Sequence, residues 1–273
     1  MRIRIYDTWK MEPFYFGTPA EPLFGVYHPP TSGRPRDEGV VLCHPIGYEY
    51  INSHRAFHEL AVRLSEVGYC VLRFDYYACG DSSGNCEEGQ IKRWLVDIST
   101  AIDELRFRCG AINLCVVGFR LGATLSALVG GPRSDIEHMV LWDPIINGKS
   151  HIKELTRRHQ AMLRRANIRP PRNSGAMKEL LGFPLTETLL HEIETIDLLA
   201  VQENPASQIL LIQTHATDHN GQLREQLVRL GSRVEYRHLP DHNTGAWIEN
   251  ISNVLVPNPI LNSIVSWIRK VCQ

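Results

Sequence analysis

Residues 116–126, VVGFRLGATLS, have the frame of a nucleophile elbow, a tight turn between a strand and a helix. In the usual motif a central serine has one glycine two residues before it and another two residues after it. Gly118 and Gly122 occupy the glycine positions here, and the central residue is Arg120. An arginine cannot attack a carbonyl carbon, because its guanidinium stays protonated. The motif therefore predicts the turn without its usual covalent chemistry.

Two interpretations of Arg120 are open. Its side chain either fills a pocket that has lost its activity or directs a guanidinium into an open pocket, where it would hold a carboxylate or a phosphate through paired hydrogen bonds. An isolated buried arginine is costly and is usually paired. Glu49 is expected near the pocket mouth and could be that partner, and a purely structural salt bridge is the favoured interpretation of the pair.

An acid–base pair is expected towards the end of the chain. Asp218 follows the apolar run 207–215, and His242 follows the next apolar run, at 233–240. Folds with an elbow place the acid and then the histidine after their last strands. A carboxylate can orient an imidazole for proton transfer even where no serine is present. Neighbouring residues remain as alternatives: His215, His219, His238 and Asp241.

The loop after residues 40–45 is expected to reach the same site. By position, the backbone N–H groups of Ile46 and Leu121 would stabilise negative charge on a substrate oxygen, since Pro45 has no N–H to donate. His44 and Glu49 belong to the same loop region. We therefore assign four residues to substrate binding: His44, Ile46, Glu49 and Leu121.

Another side chain could replace the missing serine. Cys79 and Ser82 lie in a turn at the carboxyl edge of the expected sheet, and Cys79 is the better candidate, although nothing nearby should lower the pKa of its thiol. Cys43 and Cys115 lie on expected buried strands, where cysteine acts as a small apolar residue. The seven cysteines form no C-x-x-C pair, so neither a disulfide framework nor a metal site is expected, and no cofactor is implied.

Alternating strands and helices must position these residues. Apolar runs predict strands at 23–29, 40–45, 69–75, 112–119, 136–144, 207–215 and 233–240. Amphipathic segments predict helices from Ser53 to Gly68 and from residue 90 to Gly110, and at 121–130, 221–231 and 258–271. This alternation predicts the α/β class, with a mostly parallel sheet covered by helices.

Residues 148–205 interrupt the alternation with a polar, basic segment of helical patterning. We expect them to form a helical lid, with 1–147 and 206–273 as the core. Within this lid, residues 153–172 contain seven Lys or Arg and one Glu. A solvated helix face is the favoured interpretation, and contact with an acidic carrier protein or with the phosphate of coenzyme A or phosphopantetheine is the alternative.

Composition excludes several classes of function. The formal net charge of −1 over 273 residues argues against a nucleic-acid partner. No apolar stretch is long enough to span a bilayer, and no secretory signal is expected, so the expected location is the cytoplasm. A homodimer is left open.

Longer stretches carry a family resemblance. Residues 74–84, FDYYACGDSSG, resemble the Asp-x-x-Gly-x-Gly-x-Ser turn of α/β-hydrolases, with Ala78 in place of the first glycine, and residues 42–84 resemble the N-terminal half of the serine-aminopeptidase-like members. Residues 141–155, LWDPIINGKSHIKEL, resemble a branch associated with exosortase systems and natural-product clusters, in which the elbow often reads Gly-x-Arg-x-Gly. The resemblance spans most of residues 20–270 and implies the α/β-hydrolase fold.

Together these observations predict an α/β-hydrolase-fold protein that lacks the serine nucleophile. It would bind or act on a small anionic acyl or peptidyl substrate in a biosynthetic pathway, through Arg120 and the acid–base chemistry of Asp218 and His242. An isomerase, cyclase or lyase reaction would suit such a site. The alternatives are an inactive pseudo-hydrolase that binds a ligand or carrier protein, and an esterase or peptidase with another nucleophile.

Overall fold

The computed structural model describes residues 11–31, 36–168, 177–215, 219–240 and 256–272. The strands are β1 (Glu12–Thr18), β2 (Glu21–His28), β3 (Glu38–Cys43), β4 (Cys70–Phe74), β5 (Asn113–Phe119), β6 (His138–Trp142), β7 (Met177–Leu180), β8 (Phe183–Thr186), β9 (Gln208–Gln213) and β10 (Arg233–His238). The α-helices are α1 (Gly47–Glu66), α2 (Ile91–Cys109), α3 (Leu121–Arg133), α4 (Gly148–Arg165), α5 (Glu187–Glu194), α6 (His219–Arg229) and α7 (Asn258–Val271).

One eight-stranded sheet organises the molecule, in the order β1-β2-β4-β3-β5-β6-β9-β10. The pairs β1–β2 and β2–β4 are antiparallel, and every later pair is parallel. Strands β3, β4 and β6 are buried along their whole length, which explains why their residues are mostly apolar, with Glu38, Arg73 and His138 as the exceptions. The prediction of a mostly parallel sheet covered by helices is confirmed.

Two apolar cores cover the two faces of the sheet, because successive strand residues point to opposite faces. On one face Val41 of β3 packs with residues of α2 and α3, including Trp94 and Leu125. On the other face Leu42 packs with residues of α1 and α7, including Phe57. No helix in the described ranges has the length and apolar character needed to cross a membrane.

Several elements differ from the sequence predictions. Helix α1 begins at Gly47, not at Ser53, and the hydroxyl of Ser53 donates to the carbonyl of Glu49 inside the helix at 2.7 Å. Strand β1 was not predicted. The connection between β6 and β9, residues 148–205, contains a hairpin of β7 and β8 in addition to helices, and its turn residues Leu181 and Gly182 both have positive φ. Residues 169–176 of this connection lie outside the described residues.

Helices α4 and α5 of this connection pack closely together. A Cβ placed on Gly148, the first residue of α4, would lie 1.7 Å from the carbonyl oxygen of Ile193 in α5. The side chain of Asn147 caps α4 by accepting a hydrogen bond from the N–H of Ser150 at 3.0 Å. Helix α4 therefore starts at a defined point just beyond the end of β6.

Candidate functional site

Arg120 stands at the elbow between β5 and α3. Its backbone has φ 53° and ψ −121°, and its N–H donates to the carbonyl of Trp142 at 3.0 Å. A residue other than glycine in such a region costs about 1–3 kcal/mol and persists only where the surroundings impose it. The elbow geometry is therefore formed around an arginine, at the carboxyl edge of the parallel strands.

Both elbow glycines are required by close backbone contacts. A Cβ on Gly118 would lie 2.4 Å from the Cα of Ala123. A Cβ on Gly122 would lie 2.2 Å from the carbonyl oxygen of Cys43 and 2.4 Å from that of His44. The start of α3 is therefore pressed against the loop between β3 and α1, the loop expected to contribute to the same site.

The guanidinium of Arg120 is paired mainly with Glu49 of α1. Its Nε donates to Oε1 of Glu49 at 2.8 Å, and its Nη2 lies 3.7 Å from Oε2 of Glu154 and 3.4 Å from Nδ1 of His151. The side chains of Arg120 and Glu49 are 17% and 9% exposed. The pairing of Arg120 with Glu49 considered from the sequence is present, and Nη1 of Arg120 has no hydrogen-bond partner among the described residues.

Helix α4 supplies three polar residues that the sequence analysis did not assign to the site: His151, Glu154 and Arg158. Spacings of three and four residues place them on one face of the helix. Nη2 of Arg158 pairs with Oε1 of Glu154, and Nη1 of Arg158 is buried without a hydrogen-bond partner in the part of the chain described.

The interpretation of the basic run as a solvated face is therefore right for only part of α4. Lys153, Arg157, Arg164 and Arg165 are exposed, whereas Glu154 and Arg158 turn towards Arg120. The spacing of His151, Glu154 and Arg158 along one helix face is the feature of the sequence that points to this orientation.

In this cluster Arg120 stays charged, whereas the ring of His151 stays neutral. Burial opposes the charge of Arg120, but Glu49, Glu154 and Asp143 outweigh it and raise the pKa of the guanidinium above its ordinary value. Burial and then the positive charge of Arg120 lower the pKa of His151 to about 3. The His151 ring is therefore neutral at pH 7, and its Nδ1 can accept from Arg120 when the proton is on Nε2.

Asp143 is a further carboxylate that sequence reasoning missed. It follows β6, has φ 45°, and accepts hydrogen bonds from the N–H of Thr214 at 2.8 Å and from its hydroxyl at 2.7 Å. Burial raises the pKa of Asp143, while Thr214 and Arg120 oppose that rise. The LWDP stretch therefore links the ends of β6 and β9 beside the elbow.

Replacing His151 with asparagine is expected to weaken the acid sensitivity of the fold. The unfolded chain binds a proton at His151 below about pH 6.5, whereas the folded chain does so only near its lowered pKa of about 3. Stability from this residue is therefore complete above pH 6.5 and is lost as the pH falls towards 3, by up to about 1.4 kcal/mol per pH unit.

Urea unfolding between pH 5 and pH 7.5 measures this slope. His191→Asn is the matched control, because His191 lies exposed on α5. In His151→Asn the dependence of the unfolding free energy on pH should fall by the amount that corresponds to about one bound proton. In the control it should stay at the wild-type value. Equal slopes in all three proteins would contradict the burial of a neutral His151.

The remaining predicted residues of the oxyanion region lie as follows. Ile46 precedes α1, and Leu121 is the buried first residue of α3, whose N–H has no partner within its own helix. The ring of His44 packs against Phe57, with centroids 4.2 Å apart, and against Tyr50 at 5.3 Å. Burial lowers the pKa of His44, and its Nδ1 is buried without a hydrogen-bond partner among the described residues.

The predicted acid–base residues Asp218 and His242 lie outside the described residues, as does Asp241. Of the alternatives, His215 follows β9 and His238 ends β10, and both are exposed.

The turn at residues 74–84 offers no activated nucleophile. Burial, together with the charges of Asp75 and Asp97, raises the pKa of the Cys79 thiol to about 12. The hydroxyl of Ser82 donates to the carbonyl of Asp75 at 2.6 Å and accepts from the N–H of Phe24 at 2.8 Å. The Ser82 hydroxyl therefore stabilises the turn, and the buried Cys79 thiol stays protonated, so neither side chain presents a reactive atom.

Histidines four residues apart, a metal-ligand spacing on a helix, occur three times in the sequence, and the pair His54 and His58 lies within a described helix. His54 and His58 lie four residues apart on α1, close to the buried cation Arg73, whose Nε donates to Nε2 of His28 at 3.1 Å. Burial and then the charge of Arg73 lower the pKa of both His54 and His58. A fixed cation at this place opposes a second cation, which disfavours metal binding by this pair.

No protein-family model matches the chain, and no curated protein matches it. Several solved structures do. The esterase Pf2001 of Pyrococcus furiosus superimposes with a TM-score of 0.63 at 15% identity, covering 97% of this chain and 92% of that one. The fold is that of the α/β-hydrolases.

Two further structures have the same fold. Est1E of Butyrivibrio proteoclasticus, solved with ferulic acid bound, has a TM-score of 0.62 at 15% identity over 87% of this chain and 96% of that one. Mouse α/β-hydrolase domain-containing protein 10 has a TM-score of 0.59 at 15% identity, over 95% and 99%. At these identities the likeness establishes the fold and no particular activity.

Proposed function

We propose that the chain binds a small anionic acyl or peptidyl compound at the elbow, over the guanidinium of Arg120. Asp218 and His242 would carry out acid–base chemistry on this compound without a covalent serine intermediate, and the connection of residues 148–205 would act as the lid. An isomerisation, cyclisation or elimination in a biosynthetic pathway fits such a site. The alternative is a pseudo-hydrolase that binds the same ligand and leaves it unchanged.

The way in which Arg120 is held carries the proposal. Glu49 engages the Nε atom at 2.8 Å, which orients the guanidinium, while Nη2 has only longer contacts, with His151 at 3.4 Å and Glu154 at 3.7 Å. Nη1 has no hydrogen-bond partner among the described residues. An incoming carboxylate could therefore accept two parallel hydrogen bonds from Nη1 and Nη2, the geometry in which arginine binds oxyanions best.

The strained backbone supports a functional arginine over a retired one. A positive φ at residue 120 costs free energy that a glycine would avoid. A second guanidinium, that of Arg158, interacts electrostatically with Arg120 and has a buried Nη1 without a hydrogen-bond partner among the residues that the structure describes. Two partly neutralised guanidinium groups beside one another suit a negatively charged ligand better than a neutral one.

Calorimetric titration with acetate, octanoate and N-acetylglycine tests the anion site. The decisive comparison is between Glu49→Gln, which keeps the guanidinium, and Arg120→Gln/Glu49→Gln, which removes it without leaving a buried unpaired carboxylate. We expect at least one carboxylate to bind Glu49→Gln as tightly as it binds the wild-type protein, or more tightly. The same carboxylate should bind the double variant at least about 10-fold more weakly, because a hydrogen bond to a charged group contributes about 1.5–3 kcal/mol.

Two controls separate charge from shape and from global effects. Octanamide has the size of octanoate without its charge and should bind all variants equally weakly. Arg224→Gln removes an exposed cation from α6 and should leave octanoate affinity unchanged. The proposal fails if none of the three carboxylates binds, or if the double variant and Glu49→Gln bind them equally.

A further inference from the structure

A second cluster of reactive side chains lies at the amino edge of the sheet, opposite the elbow. Glu38 is the first residue of β3, His138 is the first residue of β6, and Cys272 follows α7. Nδ1 of His138 lies 2.6 Å from Oε1 of Glu38 and 3.6 Å from Sγ of Cys272. All three donor atoms lie within 4.8 Å of one another.

We infer that Glu38, His138 and Cys272 form a binding site for a divalent transition metal, with Zn²⁺ as the best fit. One carboxylate oxygen, one imidazole nitrogen and one thiolate sulfur are the three donor types that zinc takes in proteins. Carboxylate and thiolate together carry the charge that balances a dication. Binding releases the thiol proton, and the imidazole proton moves from Nδ1 to Nε2 so that Nδ1 can coordinate.

The distances suit a tetrahedral ion after a small adjustment. Zinc–ligand bonds of about 2.0–2.3 Å place neighbouring ligand atoms roughly 3.3–3.8 Å apart. The separation of 3.6 Å between Nδ1 and Sγ already lies in this range. The 2.6 Å contact between Nδ1 and Oε1 is a hydrogen bond whose proton the metal would replace, and the two atoms would then move apart.

The surroundings of His138 provide the support that metal-bound histidines usually have. The side-chain amide of Gln208 lies 3.4 Å from Nε2 of His138. With its oxygen turned towards the ring, this amide can accept the proton from Nε2 and fix the tautomer that leaves Nδ1 free for the metal. Cys272 is partly exposed, which gives the ion a path and leaves room for water as a fourth ligand.

A positive charge beside Glu38 would also stabilise its buried carboxylate. Its side chain is 5% exposed, and in the described ranges no lysine or arginine nitrogen lies within 4 Å of it, so the ring of His138 is its close partner. A bound dication would satisfy this carboxylate and tie the end of α7 to two central strands. No metal site was expected from the sequence, because the cysteines form no C-x-x-C pair; these ligands lie 100 and 134 residues apart in the chain.

Cobalt titration of chelator-treated protein tests the site. We expect one Co²⁺ per chain, visible ligand-field bands of a tetrahedral complex, and a near-ultraviolet charge-transfer band from the thiolate. One equivalent of Zn²⁺ should remove both signals and raise the melting temperature of the wild-type protein. Cys272→Ser should lose the charge-transfer band, and Cys86→Ser, which changes an exposed cysteine, should keep it.

A second variant, Glu38→Gln, separates loss of metal binding from loss of folding. Glu38→Gln keeps the shape of the side chain and removes its charge, and it should weaken Co²⁺ binding by about 10-fold or more while retaining the thiolate band. Circular dichroism confirms that each variant is folded. The site is refuted if the wild-type chain binds no stoichiometric cobalt, or if folded Cys272→Ser gives the wild-type spectrum.

Discussion

Gly122→Ala is expected to destabilise the fold severely. The added methyl group would lie 2.2 Å from the carbonyl oxygen of Cys43 and 2.4 Å from that of His44, where no real Cβ fits. Both oxygens belong to backbone at the end of the buried strand β3, which cannot move without losing its pairing with β4 and β5. We expect a loss of about 4 kcal/mol or more, a large part of the 5–15 kcal/mol typical of a domain.

Gly221→Ala is the matched control for this prediction. Gly221 lies in α6 with no atom within 4 Å of an added Cβ, so alanine should stabilise the helix by about 0.5–1 kcal/mol. Urea unfolding followed by circular dichroism measures both variants. A Gly122→Ala protein with nearly wild-type stability would show that α3 does not approach the loop between β3 and α1.

The sheet and most helices could be predicted because their residues repeat a local pattern. Strand β3 is apolar from Gly39 to Cys43, and α2 has an apolar stripe that ends at Gly110, whose φ of 64° stops the helix. The two glycines of the elbow predicted its turn for the reason the structure shows, because each meets backbone where a side chain would stand. These features depend on residues close together in the chain.

Features set by tertiary contacts escaped the sequence analysis. Helix α1 begins after Ile46 without a side-chain cap, so nothing in the local sequence marked its first turn. Within the described part of the chain, strand β1 pairs with β2 alone at the edge of the sheet, and most of its residues are exposed. The hairpin of β7 and β8 is short, with four residues in each strand.

Some residues of the candidate site could likewise be predicted from the local sequence, and others depend on tertiary contacts. Glu49 could be named because it lies in the loop region expected beside the elbow, and it does pair with Arg120. His151 and Glu154 belong to an element more than thirty residues further along the chain, and only the fold brings α4 over the elbow. Asp218 and His242, predicted from fold order alone, stay predictions because they lie outside the described residues.

Placing a serine at position 120 offers a direct test of the predicted pair Asp218 and His242. Arg120→Ser/Glu49→Gln recreates the Gly-x-Ser-x-Gly elbow in a chain that already has its turn geometry. The change at Glu49 is needed because breaking a buried ion pair leaves an unpaired charge, which costs about 3–5 kcal/mol. If Asp218 and His242 are arranged for proton transfer, His242 should take the proton of the new serine as it attacks a fluorophosphonate and fluoride leaves.

We expect this double variant to be labelled by the fluorophosphonate about 100-fold or more faster than the wild-type chain, because a positioned general base contributes at least that factor. Arg120→Ala/Glu49→Gln has no hydroxyl at the elbow and should stay unlabelled. Adding His242→Ala to the serine variant should return labelling to the background. If folded Arg120→Ser/Glu49→Gln reacts no faster than wild type, or reacts equally well without His242, then His242 is not a base poised at the elbow. In that case the binding-only pseudo-hydrolase accounts better for a guanidinium held at this position.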